Sequence, residues 1–149
     1  LKPKESPDAW VVEVVNTMKM GDCDKLEKLL TSFFASIPYS QRRKDDEREK
    51  ERYFQYTFYL VIRMISSFTV LIEKEQSEGR VDCIIETPMF VYIFEFKRDG
   101  SATEALKQIE EKGYAREYAT DNRTIYLIGC NFSSKTGTID DWKSKGESV

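Results

Sequence analysis

At 149 residues, with 40% apolar and 33% charged residues and a net charge of −3, the chain has the size and composition of one soluble domain with its own core, and lacks the low hydrophobicity of a disordered segment. There is no histidine, and the three cysteines, Cys23, Cys83 and Cys130, show no C-x-x-C spacing, so the usual zinc sites and histidine-based triads are hard to build and buried reduced thiols are expected. No run approaches the roughly 18 apolar residues of a membrane span, and the start is not a signal peptide, so no membrane partner and a cytoplasmic location are expected. Leu rather than Met at position 1 leaves room for a region before it.

In chain order, Ser6-Pro7-Asp8 starts a predicted helix whose apolar positions are Trp10, Val11, Val14, Val15 and Met18, and Gly21-Asp22 ends it. Leu26, Leu29, Leu30, Phe33 and Phe34 repeat the pattern in a second helix that stops before Pro38, making a helical hairpin over 1–40 that packs on or leads into a core at 41–149. The mixed-sign run Gln41 to Arg52 reads as a solvated loop and first helical turns. From Glu51, the stripe Phe54, Phe58, Val61 and Ile65 predicts another helix, with Glu51 on the same side.

Phe68 to Glu75 reads as a strand and Ser77-Glu78-Gly79 as a turn, after which 79–100, GRVDCIIETPMFVYIFEFKRDG, reads as a hairpin of two strands. Asp99-Gly100-Ser101 introduces a helix over Ala102 to Tyr118, Thr124 to Phe132 is expected as the final strand, and the polar tail after Trp142 is expected to fray. The predicted fold is α/β, a central mixed sheet of about four strands flanked by helices.

The hairpin carries the chemistry. Alternation puts Val91, Ile93, Glu95 and Lys97 on one face and Tyr92, Phe94 and Phe96 on the other. With Pro88-Met89 as the turn, Ile84 opposes Ile93 and Asp82 falls opposite Glu95. Opposed like charges need a counter-charge, for which there are two candidates. One is Lys97 with Arg80 or Arg98, a salt-bridged strand end open to water. The other is a divalent cation such as Mg²⁺, held by carboxylates and a carbonyl, with the lysine orienting the attacking water or stabilising phosphorane charge.

An Asp on one strand, Glu-x-Lys on the next, an acidic residue on the preceding helix and a glutamine on the following one resemble the PD-(D/E)XK nuclease superfamily. The stretch GRVDCIIETPMFVYIFEFKRDGSATEALKQIEEKGYA, with IYLIGCNFSSKTGTIDDW, SFFASIPY and the Glu51-Arg52-Tyr53-Phe54 helix start, is similar to its bacterial branch usually joined to an N-terminal AAA-type ATPase-like domain. The resemblance implies a restriction-endonuclease-like core and makes Asp82 and Glu95 metal ligands together with Phe96. It makes Lys97 the catalytic lysine, and places Glu51 and Gln108 at the supporting acidic and glutamine positions. Tyr114 fits the same helix motif without an assigned role, and Val81 stands where the family name has Pro. The implied activity is Mg²⁺- or Mn²⁺-dependent hydrolysis of nucleic acid, DNA before RNA. The alternatives are a catalytically silent nucleic-acid- or protein-binding module regulating an attached ATPase-like domain, and a scaffold whose hairpin charges are salt bridges.

Overall fold

The computed structural model describes residues 7–36, 69–71 and 83–147. Helix α1, Pro7–Met20, and helix α2, Cys23–Ser36, meet at Gly21, whose φ of 73° needs a residue without a Cβ. An added Cβ at Gly21 would also fall 2.5 Å from the Phe90 ring. Asp22 caps α2, its Oδ1 accepting the Lys25 N–H at 3.0 Å. The two helices interlock through Trp10, whose ring stacks on Phe33 at 5.0 Å and whose Nε1–H donates to the Leu29 carbonyl.

Among the described residues, five strands form one sheet in the order β1 (Thr69–Leu71), β2 (Cys83–Glu86), β3 (Phe90–Arg98), β4 (Thr124–Ser133) and β5 (Thr138–Glu147). The β3–β4 pair is parallel and the others are antiparallel, so the sheet is mixed as the sequence predicted. The hairpin register is also the expected one: Ile84 pairs with Ile93, and the Thr87 N–H closes the turn on the Phe90 carbonyl at 2.8 Å. The expected solvated loop, the helix beginning at Glu51 and the Ser77-Glu78-Gly79 turn lie outside the described residues.

Both faces of β3 are covered. Tyr92, Phe94 and Phe96 join Cys83, Ile85, Ile128, Cys130, Phe132 and Trp142 in a core closed by Val14, Met18, Leu26, Leu30 and Phe34 of α1 and α2. The buried Tyr92 hydroxyl donates to the Met18 carbonyl at 2.6 Å, satisfying a helix-end acceptor. On the other face Ile84, Val91, Ile93, Ile125 and Leu127 pack under Ile109 of helix α3, Ala102–Lys112, and Tyr118 of a 3₁₀ turn, Tyr114–Tyr118.

Two expectations need correction. The helix from Ala102 does not run to Tyr118: it stops at Lys112 because Gly113 takes the left-handed conformation (φ 69°), its N–H bonding Ile109 and Glu110 carbonyls, and the chain continues as a 3₁₀ turn. Thr124–Ser133 is not the final strand, because residues 138–147, expected in part as a frayed tail, pair along β4 as β5. A register shift between Asn131 and Phe132 lets Ile139 and Trp142, three residues apart, both join the core with α1 and α2, which disguises the two-residue period.

Candidate active site at the end of the central strand

Glu95 lies one residue beyond the last described pairing of β3 with β2 and is paired with β4. The last described β2–β3 pair is Cys83 with Phe94, whereas the β3–β4 register continues through Glu95 with Gly129, Lys97 with Asn131 and Arg98 with Phe132. Gly129 determines how close α3 comes. A Cβ there would lie 2.3 Å from the Ala102 carbonyl oxygen and 3.0 Å from the Leu106 nitrogen, so the bare glycine lets the helix backbone touch the sheet beside Glu95.

Glu95 is 4% exposed, although carboxylates are seldom buried unless paired. Its Oε1 accepts the Lys112 Nζ at 3.1 Å, the lysine reaching back from the last residue of α3. A counter-charge is therefore present, as the sequence required, but the salt-bridged strand end takes a different form from the one expected. The partner is Lys112, the carboxylate is buried, and Arg98, one of the expected cations, belongs by alternation to the opposite face with Phe94 and Phe96.

Lys97 is half-buried, and among the described residues its ammonium has no ion-pair partner. A Cβ on Gly100 would sit 3.4 Å from both the Lys97 Cβ and the Glu104 Oε2, which brings the lysine stem and Glu104 together around the turn. Glu104, Gln108 and Lys112, four residues apart, form one stripe of α3. Since that stripe starts beside Lys97 and ends on Glu95, the half-buried Gln108 falls between them.

The turn that aims Lys97 is tied to β4 and β5. The buried Asn131 accepts the Gly100 N–H at 2.8 Å and donates from Nδ2 to Asp140 at 2.8 Å, while Asp141 Oδ2 accepts the Ala102 N–H at 2.8 Å. Ser101 caps the helix, its Oγ accepting the Glu104 N–H at 3.1 Å. Asp99, at φ 52°, accepts the Ser134 N–H at 2.8 Å. Sequence reasoning found the Asp99-Gly100-Ser101 helix start but not Gly129, Asn131, Asp141 or the Lys112 ion pair. A glycine inside an apolar strand was the available signal for Gly129.

Of the other expected site residues, Asp82 and Glu51 lie outside the described residues. Phe96 turns its ring toward α1 and α2, 6.0 Å from Phe94 and 5.7 Å from Phe132, so only its backbone carbonyl could serve a cation. Tyr114 packs against the core under α3. No cluster of three or more acidic or cysteine side chains able to hold a metal occurs among the described residues. Glu95 nonetheless fits as one ligand of a hard divalent cation, being an anionic oxygen donor in a buried site that already demands a positive neighbour.

A mixed sheet flanked by helices, with Glu-x-Lys at the end of its central strand, defines a restriction-endonuclease-like α/β domain. A sequence profile of the PD-(D/E)XK nuclease superfamily matches residues 49–142, and the chain belongs to that superfamily. An Azotobacter chroococcum mcd 1 protein described as an uncharacterized protein in the vnfD 5′ region is 32% identical over 129 residues, 85% of this chain and 25% of that protein. The chain thus spans about a quarter of that relative's length. No solved structure matches it. No helix among the described residues is long and apolar enough to cross a membrane.

Proposed function

We propose that the domain hydrolyses phosphodiester bonds of nucleic acid, DNA in preference to RNA, at the Glu95–Lys97 end of β3. The observation that carries this reading is a buried carboxylate and a lysine two residues later on one face of the central strand, with α3 laid over them. Prolonging the register from Cys83–Phe94 by one pair would set Asp82 opposite Glu95, giving a cation two carboxylates and the Phe96 carbonyl. Bound Mg²⁺ or Mn²⁺ would supply Lewis-acid stabilisation of charge on the phosphoryl oxygens.

This chain's own residues do the rest. Lys97 donates hydrogen bonds to the attacking water or to the phosphorane oxygens, which suits an ammonium held near, but not tied to, the buried carboxylate. Gln108, on the helix stripe that runs from Glu104 to Lys112, would orient the same water or the scissile phosphate, and Glu51 would add a further acidic group. A second reading, a silent nucleic-acid- or protein-binding module regulating an attached ATPase-like domain, draws support from the Lys112 pair, which neutralises Glu95 without a metal.

Cleavage of DNA and RNA panels in Mg²⁺ or Mn²⁺ tests the first reading. The expected result is cation-dependent cleavage that falls at least about a hundredfold in Asp82→Ala and Lys97→Ala. Cation-independent cleavage indifferent to both changes would rule it out, and a folded protein without cleavage would favour the silent module.

A further inference from the structure

The Lys112–Glu95 pair gives α3 a bearing on the site that no family match assigns. Glu95 is buried, and its carboxylate meets an ammonium at 3.1 Å from another element. The Lys112 side chain is 18% exposed, and a lysine is a point charge on a flexible four-carbon stem, able to swing toward water where an arginine would form a rigid fork. Its position also favours the charge, since the C-terminal end of a helix favours a positive side chain and Gly113 fixes that end at Lys112.

We propose that Lys112 is a positioning residue, the resident counter-ion of Glu95, which a divalent cation must displace or share to reach the carboxylate. This rests on the reading of Glu95 as a cation ligand. Two positive groups competing for one buried carboxylate repel each other strongly at such range, so the lysine holds the acid in place when the site is empty and lowers its affinity for metal. The stripe of Glu104, Gln108 and Lys112 would then couple cation uptake to the surface of α3.

The test is calorimetric titration of the folded chain with Mn²⁺, without any nucleic acid. Lys112→Met and Lys112→Gln remove the charge, the glutamine keeping a donor for Glu95 in case the methionine variant fails to fold. Lys112→Arg keeps the charge, and Glu95→Gln removes the ligand. The expected result is Mn²⁺ binding about tenfold tighter or more in the two neutral variants, little changed in Lys112→Arg and lost in Glu95→Gln. A purely structural lysine would leave the affinity unchanged or weaken it, and either outcome in a folded neutral variant overturns the counter-ion role while leaving the metal site standing. Absence of Mn²⁺ binding in the unaltered chain and all variants overturns both.

Discussion

A buried acid paired with a partly solvated ammonium has an energetic signature that can be measured without substrate. Removing one partner of a buried pair strands the other charge, and the expected cost of Lys112→Met to the metal-free protein is about 3 kcal/mol, the low end for such pairs because the lysine is partly solvated. Adding Glu95→Gln removes the stranded charge, so the double variant is expected to be more stable than the sum of the single losses, with a coupling above about 1 kcal/mol in urea unfolding. Additive losses would mean that the 3.1 Å contact contributes nothing in solution. At this scale the sequence was informative but incomplete. Strand alternation, which depends on neighbours along the chain, put Glu95 and Lys97 on one face of β3. Lys112 was visible only as a residue one turn from Gln108, because its contact crosses from helix to sheet.

At the scale of elements, the seating of α3 on β4 decides whether those residues meet. Gly129→Ala would place a methyl 2.3 Å from the Ala102 carbonyl oxygen, and a backbone atom cannot turn aside as a side chain can. The helix must lift, at an expected cost of about 1–3 kcal/mol, and Lys112 must draw away from Glu95. Thermal unfolding should show a lowered midpoint, and a midpoint indistinguishable from that of the unaltered chain would mean that α3 has room to spare. Apolar patterning made α1, α2, β3 and β4 legible, because each helix shows the core a regular stripe and each of these strands is a near-continuous apolar run buried on both faces. It failed where geometry departs from the period. Gly113 ends α3 although helix-forming residues flank it, and β5, with only Ile139 and Trp142 among its buried apolar residues, hides its pairing behind a register shift.

For the whole molecule, two packed faces on one sheet imprison ionisable groups that the proposed chemistry does not use. All three cysteines are buried thiols outside any disulfide. Burial pushes the Cys23 thiol from an ordinary 9.0 up to about 12, with Asp24 and Asp22 adding to it, and drives the Cys130 thiol well above its usual range. Burial likewise raises Tyr118 from 10.0 to about 12, with Glu86 close by, and lifts Tyr92 strongly. These groups stay protonated in the folded chain at pH values where the unfolded chain has released their protons. Between about pH 9 and 12 the unfolded state therefore binds fewer protons, and stability falls as pH rises. The loss is expected to be on the order of 1 kcal/mol per group by pH 11. Urea midpoints at pH 7.5, 9 and 11 would display it, and Tyr118→Phe should flatten the slope by removing one titrating group from the core under α3. A midpoint constant from pH 8 to 11 would mean that these thiols and phenols reach solvent in the folded chain, and the two-faced core would then be wrong. Acid acts on a different contact, since the Arg123 guanidinium holds the Asp121 carboxyl down to about 2, and its contribution is lost only as pH falls from about 4 through 2. The fold is thus expected to withstand mild acid better than alkali, because among the described residues the large shifts caused by burial belong to weak acids that stay neutral under the packed faces of the sheet.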